Sequence, residues 1–316
     1  MNKVLNIVNG DSVIEVMRKS SISGNFLPWQ DFLHEGPIPE GLSLEALSKI
    51  RAKFISEKGL GKFDEIYQSF RERDSTLKTF KKYDKIFLWF EHDLYDQLQL
   101  IQILDWFAKY ASTNTNIFVI SPENYLRRST PRELEQFLLY NKELVTHNHY
   151  ITARKAWSAL SSSTPFAWEK LLTDDTSTLP FLKDAVKRLL EEYPNTKNGL
   201  SRTAHQALLS ISRKKTNPIE IFESYQRTEK RIFMGDVLFW DILKQLIEKN
   251  LLNSTESGQC LKLTSFGEEV LQGKSSWMKS KQIDSWIGGV HLTPDNIWCW
   301  DIDEEKIILR TIQEFY

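Results

Sequence analysis

The sequence has little cysteine, with only Cys260 and Cys299 in 316 residues. Two thiols this far apart exclude a disulfide framework and match no metal-ligand spacing, so a reducing compartment is expected. An excess of one charge is also missing. The 41 Lys and Arg and 42 Asp and Glu leave a formal net charge of −1. The whole chain thus gives no electrostatic reason to hold nucleic acid or an anionic membrane, and any basic face must be local. No apolar run approaches the ~20 residues of a membrane-spanning helix. The start MNKVLNIVNGDS enters a strand pattern directly, without the apolar core and small-residue cleavage site of a signal peptide. A cytoplasmic protein with no membrane partner is expected. Neither G-x-G-x-x-G nor G-x-x-x-x-G-K-[ST] occurs, so the sequence names no cofactor. Internal repeats and low-complexity tracts are absent as well.

What the chain does have is alternation of strand and helix patterns. Val4 to Val8 reads as a short apolar strand, NGDS (9–12) as a turn, and Val13 to Lys19 as a helix. A second strand is expected at Phe26-Leu27, and amphipathic helices near Ser43 to Ser56 and Phe63 to Thr79. The aromatic-rich run Ile86 to Phe90 reads as a strand buried on both faces, followed by a helix from Tyr95 to Tyr110 and a strand at Asn116 to Ile120. STPREL (129–134) is a helix start, with Ser129 or Thr130 as cap and Pro131 in the first turn. This order predicts a Rossmann-like, mostly parallel α/β domain over 1–145. A helical connector follows over 146–196, ending at the polar stretch EEYPNTKNG. Over 197–316, helices and a strand–turn–helix pattern predict a winged-helix-like domain. It closes in a terminal β-hairpin formed by WIGGVHL and IWCWD around a Thr-Pro-Asp-Asn turn.

The chemistry-bearing residues cluster after the predicted strands. Open α/β sheets bind ligands at the carboxyl ends of their strands. Glu91, His92 and Asp93 lie at one such end, Asp11 and Ser12 beyond Gly10 at another, and His34 and Glu35 in the loop after the second strand. If these strands are neighbours, seven polar residues from three loops share one edge. A histidine beside carboxylates suits general acid–base work, which assigns His92 as acid or base with Glu91 or Asp93 orienting it. A capping role competes, since Asp is a favoured N-cap and Asp93 or Asp96 can start the following helix. Gly10-Asp11-Ser12 matches the turn of a class of serine hydrolases, with Ser12 as nucleophile, but the C-terminal D-x-x-H pair of those enzymes is absent. A Gly-Asp turn at a helix start explains the same letters. Histidines next to glutamates raise a metal, yet no helical zinc spacing is present and no metal is assigned.

LPWQDFLHEGP (27–37) holds His34 and Glu35 between prolines, with Trp29 nearby, and reads equally as a rigid site loop or a structural Ω-loop. Gly288 and Gly289 inside a strand mark a bulge or close approach, and His291 just after them is a further ligand candidate. Nucleic acid has weaker support. The helix near 237–250 sets Lys244, Gln245 and Lys249 against Asp236, Asp241 and Glu248.

NGDS (9–12), LPWQDFLHEGP (27–37) and WFEHDLYDQLQ (89–99) resemble the bacterial domain-of-unknown-function family 1835. GLSRT (199–203), FMGD (233–236), LTSFG (263–267) and GGVHLTPDN (288–296) resemble its companion C-terminal domain. The resemblance supports the domain layout and carries no residue roles. The expected function is a hydrolase or transferase acting on a small polar or nucleotide-like ligand at the sheet edge. The alternative is a ligand-sensing regulator whose winged-helix part contacts nucleic acid or protein.

Overall fold

The computed structural model describes residues 3–112, 115–255, 258, 260–280 and 283–315. Twelve α-helices and twelve strands are present among them. The first half runs β1 (Val4–Val8), α1 (Asp11–Met17), β2 (Asn25–Pro28), β3 (Gly36–Pro37), α2 (Leu44–Glu57), α3 (Phe63–Lys78), β4 (Lys85–Trp89), α4 (Leu94–Tyr110), β5 (Ile117–Ile120), α5 (Pro131–Tyr140) and β6 (Lys142–Leu144). Next come α6 (His147–Ser161), α7 (Phe166–Thr173), α8 (Leu182–Leu190), α9 (Arg202–Ser212), α10 (Pro218–Gln226) and α11 (Asp236–Glu248). The chain finishes with β7 (Leu252–Ser254), β8 (Leu261–Leu263), α12 (Ser265–Leu271), β9 (Ser285–Gly288), β10 (Val290–Leu292), β11 (Ile297–Asp301) and β12 (Lys306–Arg310). Two compact units result: residues 1–185 with 286–290, and residues 186–285 with 291–316. Among the described residues no helix is long and apolar enough to cross a membrane.

In the first unit five strands form one sheet in the order β2-β1-β4-β5-β6. β1, β2, β4 and β5 pair in parallel, and β6 closes the edge antiparallel to β5. The interior strands are apolar on both faces because both are covered. Val8, Phe87, Trp89 and Ile120 share one core with α1 and α5 through Val13, Ile14, Met17 and Leu134. Ile86 and Leu88, on the opposite face, are also fully buried. The one polar side chain inside β1, Asn6, accepts the Trp89 indole N–H at 3.0 Å and donates to the Ser23 carbonyl. A buried amide is tolerated there because both its ends are bonded. From β1 the chain turns through α1 to β2 on one side; from β4 it turns through α4 to β5 on the other. The strand order thus reverses between β1 and β4, and the carboxyl ends of two such strands are where open α/β sheets form their ligand crevice.

The WQDFLHEGP loop owes its shape to two buried arginines. Arg51 of α2 forks onto Asp31 at 2.9 Å and donates to the carbonyls of Phe32 and Glu35. Arg73 of α3 donates to Asp74, Ser48 and the Trp29 carbonyl, with its guanidinium over the Trp29 ring at 4.2 Å. Gly36 has φ +82, and a Cβ there would lie 2.3 Å from Phe54, so only glycine fits. Residues 286–290 join this loop: β3 pairs in parallel with β9, Gly36 opposite Ile287 and Pro37 opposite Gly288. A Cβ on Gly288 or Gly289 would meet the Leu160 or Ser161 carbonyl at about 2 Å, the close approach that the two glycines imply.

Several local expectations change. α1 begins at Asp11 rather than Val13, and Thr130, not Ser129, caps α5, in a full capping box with Glu133. β6 was not anticipated, because its Lys-Glu-Leu sequence is wholly exposed. The terminal hairpin is β11 with β12, Trp298 opposite Leu309, rather than WIGGVHL with IWCWD. The Thr-Pro-Asp-Asn turn closes only as an isolated bridge between Thr293 and Asn296.

In the second unit α9, α10 and α11 precede the antiparallel pair β7–β8, and α12 follows it. Arg188, at the end of α8, is buried between Glu192, Glu229 and the Thr203 hydroxyl, with contacts of 2.6 to 2.9 Å.

Removing one partner of a buried, hydrogen-bonded ion pair leaves a bare charge, at a cost of about 3–5 kcal/mol. Arg51→Ala is therefore expected to lower the stability of the first unit by that order, read from chemical denaturation.

Candidate functional site

The β1/β4 crevice is built in layers. At its mouth Asp11 and Ser12 are exposed on the first turn of α1. The Asp11 carboxylate accepts a hydrogen bond from the Gln30 side chain at 2.5 Å, and Gln30 stands at φ +46 just beyond β2. Gly10 faces open space, since a Cβ there would meet nothing within 4 Å. Below them Asn9 donates through Nδ2 to Asp96 at 2.5 Å.

Beneath the mouth sit three carboxylates. Asp93 is the N-cap of α4, its Oδ1 accepting the Asp96 amide at 3.1 Å. The capping reading of this turn is thus realised, and Asp93 is the cap. Asp96 accepts Asn9 on one oxygen and the Glu91 amide on the other. Glu91 accepts the Leu126 amide at 2.6 Å, and its carbonyl takes the Gln97 side chain. All three are buried. Burial raises each carboxyl, because water no longer solvates the charged form. For Glu91 and Asp93 the Asp96 charge adds to it. Glu91 is pushed up to about 8, against the opposing pull of the Leu126 amide and Arg127. Asp93 lies well above its ordinary range. Asp96 rises only to about 6, because Asn9 and the Glu91 amide stabilise its charged form. At neutral pH Glu91 carries its proton and Asp96 carries the negative charge.

The other expected residues fall around this cluster in different ways. His92 is buried, its ring edge-on to Tyr125 at 4.8 Å and to Phe181 at 5.9 Å. His34 is buried next to Phe32 and lies 6.3 Å from the Tyr95 ring. Burial, then the charges of Asp31, Asp96 and Asp93, raise the Tyr95 phenol. Glu35 pairs with Lys58 at 3.0 Å. Trp29 is fully buried, its indole donating to Gln102 at 2.7 Å, and serves as packing. Ser12 makes no side-chain bond to a histidine among the described residues. His291 belongs to the second unit and meets Asp284 at 2.7 Å. No group of three or more His, Cys, Asp or Glu among the described residues is arranged to hold a metal ion.

Reading the sequence did not pick the residues that bring the loops together. These are Asn9 and the α4 stripe Asp96, Gln99 and Gln102, which hold Asn9, the Asp31 carbonyl and Trp29 respectively. Their signal was available. Polar residues at i, i+3 and i+6 on a helix with no solvent face must bond to something inside.

Compared with models of known families and with curated proteins, the chain matches none. The resemblance to the domain-of-unknown-function family therefore adds no assignment to this geometry.

Raised carboxyl pKa values make stability depend on pH. A folded Glu91 keeps its proton up to about pH 8, whereas an unfolded one loses it near 4.5. The folded state thus binds more protons, so stability is full below about 4.5 and falls as pH rises to about 8. Glu91→Gln imitates the protonated form and keeps the Leu126 bond. It is expected to match the wild type in denaturant at pH 5 and to exceed it at pH 9.

Proposed function

We propose that the first unit is a Rossmann-like ligand-binding domain of an enzyme, acting by acid–base chemistry on a small polar ligand in the β1/β4 crevice. The observation that carries this reading is the set of three carboxyls under that crevice, driven apart in proton affinity. Two carboxyls that differ in this way supply an acid and a base at one pH. Glu91, protonated at pH 7, is the proton donor of this reading, and Asp96 is the fixed negative charge. Asp11, Gln30 and the open space beside Gly10 form the mouth that receives the ligand. The charge of Asp96 and the missing glycine-rich loop favour a neutral or cationic polar group there over a phosphate. Hydrolysis and group transfer both use such a donor.

The regulatory reading rests on the second unit. Three helices followed by a two-stranded wing are the order of a winged-helix module. Its α11 gives duplex DNA little to meet. Lys244 lies 3.8 Å from Glu248, Gln245 donates to Asp241, and Lys249 covers the Trp277 ring. We therefore rank the enzyme reading first.

A thermal-shift screen of small polar metabolites tests it. A ligand at 100 times its Kd stabilises by about 2.7 kcal/mol. Gly10→Leu should fill the mouth without strain, because Gly10 has an extended backbone at φ −169. The expected result is a ligand that raises the Tm of the wild type and leaves a folded Gly10→Leu variant unmoved. A shift that survives in the variant would place the ligand elsewhere; no shift from any neutral or cationic compound would remove the reading.

A further inference from the structure

The second unit contains a cavity of about 510 Å³ between the 195–198 loop, α9, the end of α12 and β11. This volume is within the ~300–1,000 Å³ range of small-molecule sites. Its charged lining groups are already neutralised. Arg202 donates to Glu191 at 2.6 Å and to the Thr228 carbonyl at 2.9 Å, and Lys197 lies 3.1 Å from Asp303. Asn195 and Asn198 bond to each other and to backbone carbonyls, so they are wall. The polar side chains left to face a ligand are His205, Gln206 and Gln272, whose side chains form no hydrogen bond among the described residues. Burial lowers the His205 imidazole, which keeps it neutral at neutral pH. A neutral imidazole and two carboxamides offer donors and acceptors in equal measure and no charge. Leu271, Trp300 and Ile302 supply the apolar part of the lining, with Ile302 exposed.

The geometry points to a second ligand site in this unit, taking an uncharged, planar nitrogen heterocycle of the nucleobase type. A carboxamide pairs in bidentate fashion with the donor–acceptor edge of such a ring. The apolar side chains cover its faces, and the neutralised wall gives a phosphate nothing to gain.

Isothermal titration with adenine, adenosine, uridine and AMP tests the site on the full chain. At least one of the three uncharged compounds is expected to bind at one equivalent, and AMP no more tightly than adenosine. His205→Ala and Gln206→Ala should each weaken binding about tenfold, or ~1.4 kcal/mol. Ile302→Glu, at an exposed position, should weaken it too without affecting the fold, as checked by circular dichroism. Absence of binding by all four at millimolar concentration would overturn the proposal. So would binding unchanged in both α9 variants, or tighter binding of AMP than of adenosine.

Discussion

Everything at the carboxyl edge of the sheet depends on α4 being buried while carrying polar side chains. Asp96, Gln97, Gln99 and Gln102 are all nearly inaccessible to solvent. A buried polar group without a partner costs about 1–3 kcal/mol, more when charged. The stripe is therefore obliged to bond, and the groups in reach are the loops after β1, β2 and β4. Asn9, the Asp31 carbonyl, Trp29 and the Glu91 backbone each take one of these bonds. Moving any one loop leaves a helix side chain bare, so the three loops hold one arrangement together. The arginine clasp of α2 and α3 fixes the β2 loop from the other side, which leaves the Asp31 segment tied at both its carboxylate and its carbonyl.

The same burial decides the chemistry. Asp93 is a helix cap and Asp96 is a loop anchor, both structural roles. Yet burial together with Glu91 raises all three carboxyls. A helix cap and a raised carboxyl thus coexist at the EHD turn. The cap geometry sets Asp93 beside Asp96, and burial followed by the Asp96 charge raises the proton affinity of Asp93 and Glu91. Asp96 rises less than Glu91 because burial alone raises it, whereas the Asp96 charge adds to burial at Glu91.

Much of the fold was legible because local rules govern it. Continuous apolar runs gave β1, β4 and β5 within a residue or so, and the helix start STPREL announced α5. What local patterns could not give is pairing. β6 has no apolar face to betray it, and the partner of β11 lies across the turn at 302–305, beyond the motif that drew the eye. The site was legible by position and not by role. Strand ends placed Glu91, Asp93 and Asp11 at one crevice. His92 and His34 drew attention as titratable residues, but aromatic packing around each is a tertiary fact with no sequence period. Asp96 reads in the sequence as an alternative cap of α4, a role that Asp93 takes.

Charge balance over the whole chain concealed a local difference that bears on ligand choice. The crevice of the first unit gathers Asp11, Glu91, Asp93 and Asp96, with the backbone amides near them already bonded to these carboxylates. Open α/β sheets that bind phosphates leave such amides free to meet the anion at a helix N-terminus. Here the start of α4 is occupied by its own Asp93, and the amide of Glu91 by Asp96. A phosphate entering between β1 and β4 would find the start of α4 and the Glu91 amide taken, with the Asp96 charge behind them, while the first turn of α1 carries no side-chain cap. At the start of α4 the donors that an anion would use are thus held by the chain's own carboxylates.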